Sequence, residues 1–337
     1  MIADISANGR RVGITGIGAY VPEKILTNDE LARMVDTSDE WITERTGIKQ
    51  RHIAAPDQAA SDLALPACEQ ALEGAGVRAE EIDYIVVGTC TPDMMFPTTA
   101  TLLADKLGAT NAAAYDILAG CTGFLYALVQ AYGAVASGLA SRALVVGSEA
   151  LSKITNWEDR GTCVLFGDGA GAAVVERVPE GGFIAFELGA DGAGGKDLMV
   201  PAGGSRAPAA RETVEQNLHY IQMNGPEIYR FATRVMVASA ESTLEQAGME
   251  VDELDLYVPH QANKRIIEHA ARNLGLPAEK VFINLERYGN TSSASVPLCL
   301  VEAAEQGRLH PGSNVLLSAV GAGLTWGSAL MTWGDGR

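Results

Sequence analysis

Apolar positions along this 337-residue chain fall into short runs that alternate with helix-length stretches. The run Ala112 to Leu118 reads as a strand, and a glycine-bounded turn then hands over to Phe124 to Ala136, a helical stretch whose only breaker is Gly133. Farther along, Leu254 to Val258 and Asn314 to Ala319 read as strands, while Thr98 to Leu107 and Ala294 to Ala304 read as helices. Strands alternating with helices build parallel or mixed sheets with helices packed on them, so an α/β protein is expected.

The pattern repeats. Shifted by 172 positions, Ala71 to Gly88 lies without gaps on Thr243 to His260, and Leu72, Glu73, Ala75, Gly76, Glu81, Asp83 and Val86 match Leu244, Glu245, Ala247, Gly248, Glu253, Asp255 and Val258. The same shift puts Leu128 and Ala131 on Leu300 and Ala303, and Ser141 and Leu144 on Ser313 and Leu316. One offset serving three separated segments implies two copies of one α/β unit, with the expected division at 1–179 and 180–337. Each copy has a helix ending at Ala-Gly, an acidic turn and an apolar strand. Ligands in open α/β sheets bind beyond the carboxyl ends of strands. Cys121 and His260 both sit at such ends.

Composition narrows the function. A net charge of −17 argues against a nucleic-acid partner, which needs a basic face. Cysteines at 68, 90, 121, 163 and 299 include no C-x-x-C pair and no zinc spacing, so a reduced intracellular protein without a structural metal is expected. No apolar run approaches the ~18 residues of a transmembrane helix, and Met1 to Arg11 lacks the apolar core of a signal peptide. The expected address is the cytoplasm, with no membrane partner.

The candidate chemistry begins at Cys121, in Ala119-Gly120-Cys121-Thr122-Gly123-Phe124. A thiol at a helix N-terminus meets unpaired N–H groups and the positive end of the helix dipole, so a lowered pKa and partial ionisation near neutrality are expected. His260 follows an apolar strand within Val258-Pro259-His260-Gln261-Ala262-Asn263, and Asn290 precedes a helix. Gly321-Ala322-Gly323, after the strand 314–319, can bring backbone N–H groups close to a ligand as an oxyanion site does. Gly13-Ile14-Thr15-Gly16-Ile17-Gly18 lacks the dinucleotide-binding spacing and opens no helix.

Together with Trp41, Arg45-Thr46-Gly47-Ile48, Asp159-Arg160-Gly161-Thr162, Phe166 to Ala172, Gly289-Asn290-Thr291-Ser292 and Thr325-Trp326-Gly327, these motifs resemble the thiolase-fold condensing enzymes. The likeness is strongest to the β-ketoacyl-acyl carrier protein synthase III family, and it spans nearly the whole chain. It implies a thiolase-like fold of two duplicated α/β halves in five layers, α-β-α-β-α, and a homodimer. It implies a Cys121, His260 and Asn290 triad that condenses an acyl-coenzyme A starter with malonyl-acyl carrier protein, with no cofactor. The oxyanion would be held by backbone N–H groups of Cys121 and of Ala322 or Gly323.

The resemblance further implies that Trp41, Arg45, Arg160 and Asn263 hold coenzyme A. Gln261, Ala262, Asn263, Lys264, Arg265, Arg230 and Arg272 would meet the acidic carrier protein. Phe96, reaching into the partner subunit, and Leu151 would line the acyl pocket. Relatives commonly have consecutive glycines where Ala322 stands. Thiolase itself fits less well, because Cys299 lies inside a helix, and hydroxymethylglutaryl-coenzyme A synthase would need a glutamate near Gly88-Thr89-Cys90. A starter-loading enzyme of a polyketide or other secondary-metabolite pathway shares the triad and stays open. So, from another class, do a cysteine peptidase and an inactive binding protein.

Overall fold

The computed structural model describes residues 11–334; the start of the chain, where Met1 to Arg10 carry no motif, lies outside the described residues. Nine strands frame the site: β1 (Val12–Tyr20), β2 (Tyr84–Gly88), β3 (Ala113–Ile117), β4 (Arg142–Glu149), β5 (Gly169–Arg177), β6 (Gly182–Ala190), β7 (Leu256–Pro259), β8 (Asn314–Gly321) and β9 (Thr325–Thr332). The first sheet runs β1-β5-β4-β2-β3 and the second β7-β8-β9-β6. In the first, β2 pairs parallel with both β3 and β4; in the second, β7 pairs parallel with β8, and the remaining pairs are antiparallel.

The helices that layer these sheets are α1 (Asp39–Thr46), α2 (Ala60–Ala75), α3 (Gly123–Ser137), α4 (Gly225–Ala247), α5 (Lys264–Leu274) and α6 (Ser295–Glu305). Helix α2 covers the outer face of the first sheet, α4 with α5 the outer face of the second, and α3 with α6 lie between the sheets. This is the expected thiolase-like α-β-α-β-α stack. The inner layer turns apolar side chains to both sheets: Phe124, Leu125, Leu128 and Val135 of α3 and Val296 and Leu300 of α6 are at most 1% exposed. Each such side chain contributes roughly 1.5–3 kcal/mol of burial.

The repeat survives folding with its register intact. The turn 79–81 recurs at 251–253, the turn 120–122 at 292–294, and β4 (142–149) recurs as β8 (314–321), each displaced by 172. The two Ala-Gly helix ends agree in detail. Gly76 and Gly248 close α2 and α4 with φ of 65° and 63°, a left-handed cap that carries a Cβ only under strain. What the second copy lacks is a full counterpart of β3; it keeps a single parallel bridge between Tyr257 and Val281. No helix among the described residues is long and apolar enough to cross a membrane.

Candidate active site

Because β2 and β3 are parallel, with Gly88 opposite Ile117, both strands deliver their following loops to one edge of the first sheet. From there the turn Gly120–Thr122 carries Cys121 to a point just ahead of the start of α3. His260 comes directly off β7, its N–H donating to Ser318 O at 2.7 Å. Asn290 is clamped by its backbone, with N donating to Leu165 O at 2.8 Å and O accepting from Gly167 N at 3.0 Å. Its Oδ1 accepts from Ser292 N at 2.9 Å, which turns the amide NH2 group into the free end of the side chain. Cys121, His260 and Asn290 line one cavity of about 270 Å³, as the sequence reading requires.

A second cavity, about 390 Å³, is lined by Cys121, Leu151, Leu198, Ile221, Ala322 and Gly323 among others. The sulfur-bearing residue therefore stands where an entry space and an apolar space meet. The backbones of the two halves touch there. A Cβ on Gly120 would come within 2.6 Å of Ala322 N, and one on Gly321 within 2.5 Å of Cys121 N, so neither position tolerates a side chain.

The ionisation expected of Cys121 is not what the site imposes. The residue is half-buried because it faces the cavities, yet their walls are largely apolar, and burial pushes its thiol up to about 12. A hydrogen bond from the Ser292 hydroxyl works the other way, and the nearby Glu149 carboxyl adds to the rise. A helix dipole contributes about 0.3–1 kcal/mol, less than one pH unit, whereas desolvation of a buried charge shifts a pKa by up to ~3–5 units, so desolvation wins. His260 is 2% exposed, and burial brings its imidazole down to about 3. At neutral pH the site rests as thiol plus neutral imidazole.

Around the entry cavity, Ser38 Oγ caps α1 by accepting from Trp41 N at 3.1 Å, which fixes Trp41 and Arg45 on one short helix. The guanidinium groups of Arg45 and Arg160 lie 5.1 and 4.9 Å from the Trp41 ring centre, and Arg160 also donates to Asp36 O. Asn263 caps α5, its Oδ1 accepting from Arg265 N at 2.9 Å and its Nδ2 donating to Arg45 O at 3.0 Å. Trp41, Arg45, Ala262, Asn263 and Arg265 all line the entry cavity. Lys264, Arg265 and Arg272 are exposed on α5, and Arg230, exposed on the adjoining α4, is paired with Glu227.

One expected contact is corrected. Gln261 is 1% exposed, and its amide serves the loop itself: Nε2 donates to Pro259 O and Phe282 O, while Oε1 accepts from Asn284 N and Leu285 N. Its side chain therefore faces away from any docking protein. Phe96 is 84% exposed and lines neither cavity of its own chain, because the irregular segment before Pro97 turns Met95 and Phe96 outward together. Leu151 lines the second cavity.

Sequence reading missed the polar cluster beside Cys121. Glu149, fully buried at the end of β4, accepts from Cys90 N at 3.0 Å and Thr91 Oγ1 at 2.8 Å, and its other oxygen lies 3.0 Å from Ser293 Oγ. Cys90 also lines the apolar cavity. Its position two residues beyond β2, parallel to the strand that feeds Cys121, was the available signal.

Residues 115–192 match the family described as 3-oxoacyl-[acyl-carrier-protein (ACP)] synthase III, and residues 244–333 match its C-terminal part. A β-ketoacyl-[acyl-carrier-protein] synthase III of Symbiobacterium thermophilum is 56% identical over 326 residues, covering 96% of this chain and 99% of the relative. The solved synthase III of Thermus thermophilus is 49% identical with a TM-score of 0.88, covering 96% of this chain and 99% of that one. The priming β-ketosynthase of the R1128 polyketide biosynthetic pathway is 37% identical with a TM-score of 0.90, covering 97% and 98%. With likeness of this degree extending over 96% of its length, the chain belongs to the β-ketoacyl-[acyl-carrier-protein] synthase III family.

Proposed function

We propose that the chain joins an acyl-coenzyme A starter to malonyl-acyl carrier protein by a decarboxylative Claisen condensation, opening fatty-acid synthesis. The observation that carries this reading is that Cys121, His260 and Asn290, from two halves of the chain, line one cavity that continues past the sulfur into an apolar one. Cys121 Sγ attacks the thioester carbonyl; its proton leaves with the coenzyme A sulfur, and an acyl-Cys remains. Backbone N–H groups of Cys121 and of Ala322 or Gly323 are suited to hold the tetrahedral oxyanion.

Loss of CO2 from the malonyl group then leaves an enolate. Its oxygen calls for neutral donors, the roles assigned to His260 and Asn290; a charged carboxylate there would repel it. Attack of the enolate carbon on the acyl-Cys releases the 3-oxoacyl carrier protein and frees the sulfur. No metal or redox cofactor enters any of these steps. Trp41, Arg45, Arg160 and Asn263 are assigned to coenzyme A, by stacking and by guanidinium pairing with phosphates. Arg230, Ala262, Asn263, Lys264, Arg265 and Arg272 form the basic face for an acidic carrier protein. Residues 1–179 and 180–337 are the two duplicated halves, a division supported by each sheet's strands lying on one side of it. A homodimer working in the cytoplasm, with Phe96 completing the partner's acyl pocket, completes the reading.

The test is the intact mass of the protein after incubation with mixed acyl-coenzyme A thioesters, followed by addition of malonyl-acyl carrier protein. One acyl adduct that disappears as a 3-oxoacyl product forms is expected. An unmodified protein, or an adduct retained by Cys121→Ser, overturns the reading. The likeness to a priming ketosynthase of a polyketide pathway favours a second assignment, to starter loading in secondary metabolism. Rescue of a strain lacking its fatty-acid initiation enzyme selects the first; failure to rescue with full activity in vitro selects the second.

A further inference from the structure

We propose that Ser295 is a positioning residue that holds His260 in the tautomer with its proton on Nε2. Ser295 opens α6, is 2% exposed, and sets its Oγ 2.7 Å from His260 Nδ1. That oxygen already accepts from Gln261 N at 3.4 Å, and His260 Nδ1 is the acceptor that remains for the hydroxyl proton among the described residues. A hydroxyl has one proton to give. If Nδ1 carried the ring proton instead, two donors would converge on Oγ and the serine proton would be buried without a partner, an arrangement folded proteins avoid. The hydrogen bond at one ring nitrogen thereby fixes the state of the other. Nε2 is left with the proton, which suits it to donate into the cavity.

The repeat supports the pairing independently. At the matching positions of the first copy stand Gly88 and Gly123, where a Cβ on Gly88 would come 2.4 Å from the Gly123 carbonyl carbon. The fold thus brings a strand end against a helix start twice. In the first copy both side chains are dispensed with; in the second the same contact is made by an imidazole and a hydroxyl.

This inference rests on the proposed reading, in which His260 donates to an enolate, but its tautomer can be read without turnover. The experiment is 15N NMR of the protein labelled at histidine nitrogens, at neutral pH, for the wild type and for Ser295→Ala and Ser295→Thr, alongside decarboxylation of malonyl-acyl carrier protein. In the wild type Nε2 should carry the proton and Nδ1 should resonate as the bare nitrogen. In Ser295→Ala the two tautomers should mix, and kcat should fall roughly tenfold to a hundredfold, short of the ~10²–10³ lost with a whole donor. KM and alkylation of Cys121 should hold, and Ser295→Thr should restore both the ring signature and kcat. A protonated Nδ1 in the wild type overturns the proposal even if every variant fails to fold. So does a Ser295→Ala enzyme that keeps a pure Nε2 tautomer or full kcat. Absence of all turnover would refute the functional reading and leave the ring resonances to decide the tautomer.

Discussion

In the first half of the chain the strand Tyr84–Gly88 ends on a glycine and the helix-opening turn carries Cys121; 172 residues later the strand end carries His260 and the turn carries Ser293. The two positions exist in both halves, but each half arms only one. The disarmed positions are still used. Ser293 Oγ donates to Gly88 O at 2.7 Å and reaches Glu149 Oε1 at 3.0 Å, so the residue at the cysteine's counterpart latches the second half onto the strand end of the first. The difference teaches that a duplicated scaffold can divide one reaction between its copies. In the proposed reading the nucleophile takes a helix start and the proton donor a strand end, and Ser293, in one vacated place, ties the halves together.

Removing the sulfur is the largest blow to that division: Cys121→Ser should cut acyl transfer by at least about a thousandfold, read as loss of the acyl adduct by intact mass. Asn290→Ala should lower malonyl decarboxylation by roughly 10²–10³ while leaving self-acylation of Cys121 within severalfold. Equal loss in both half-reactions would break the separation of roles between the copies. Ser293→Ala removes the one hydroxyl that lies against both Gly88 O and buried Glu149, and should cost about 1–3 kcal/mol of unfolding free energy by denaturant titration.

With the thiol pushed up to about 12, its reactive thiolate fraction increases with pH throughout the range below that value. Iodoacetamide labelling of position 121 should therefore rise about tenfold per pH unit from about pH 6 to about pH 9. A plateau below about pH 8 would show that the helix start, and not burial, governs the sulfur. Smallest of all, Arg265→Glu should raise KM for the malonyl carrier protein severalfold while acyl-coenzyme A turnover stays the same, and unchanged carrier-protein kinetics would remove Arg265 from the docking face.

Much of this was legible in the chain because it is local. The 172-residue offset, the two Ala-Gly helix ends and the strand-turn-helix around Cys121 follow from hydrophobic period and left-handed caps, and they fall within a residue or two of their expected bounds. What could not be read depends on contacts between distant segments. Nothing in His260-Gln261-Ala262-Asn263 says that the Gln261 amide turns inward, since its acceptors and donors come from 259 and 282–285. The sulfur's ionisation was misjudged for the same reason: the helix start is written next to Cys121, but Glu149, Ser292 and the apolar walls come from elsewhere. Ser295, five residues past Asn290, gains its meaning only when β7 packs against α6.

Of the four tryptophans, Trp41 lines the entry cavity, with two guanidinium groups against its ring. Its indole emission is therefore coupled to whatever displaces those cations. With the other three tryptophans changed to phenylalanine, the enzyme would carry an intrinsic optical gauge of occupancy at the mouth of its own tunnel, readable in a stopped-flow instrument before any bond is made.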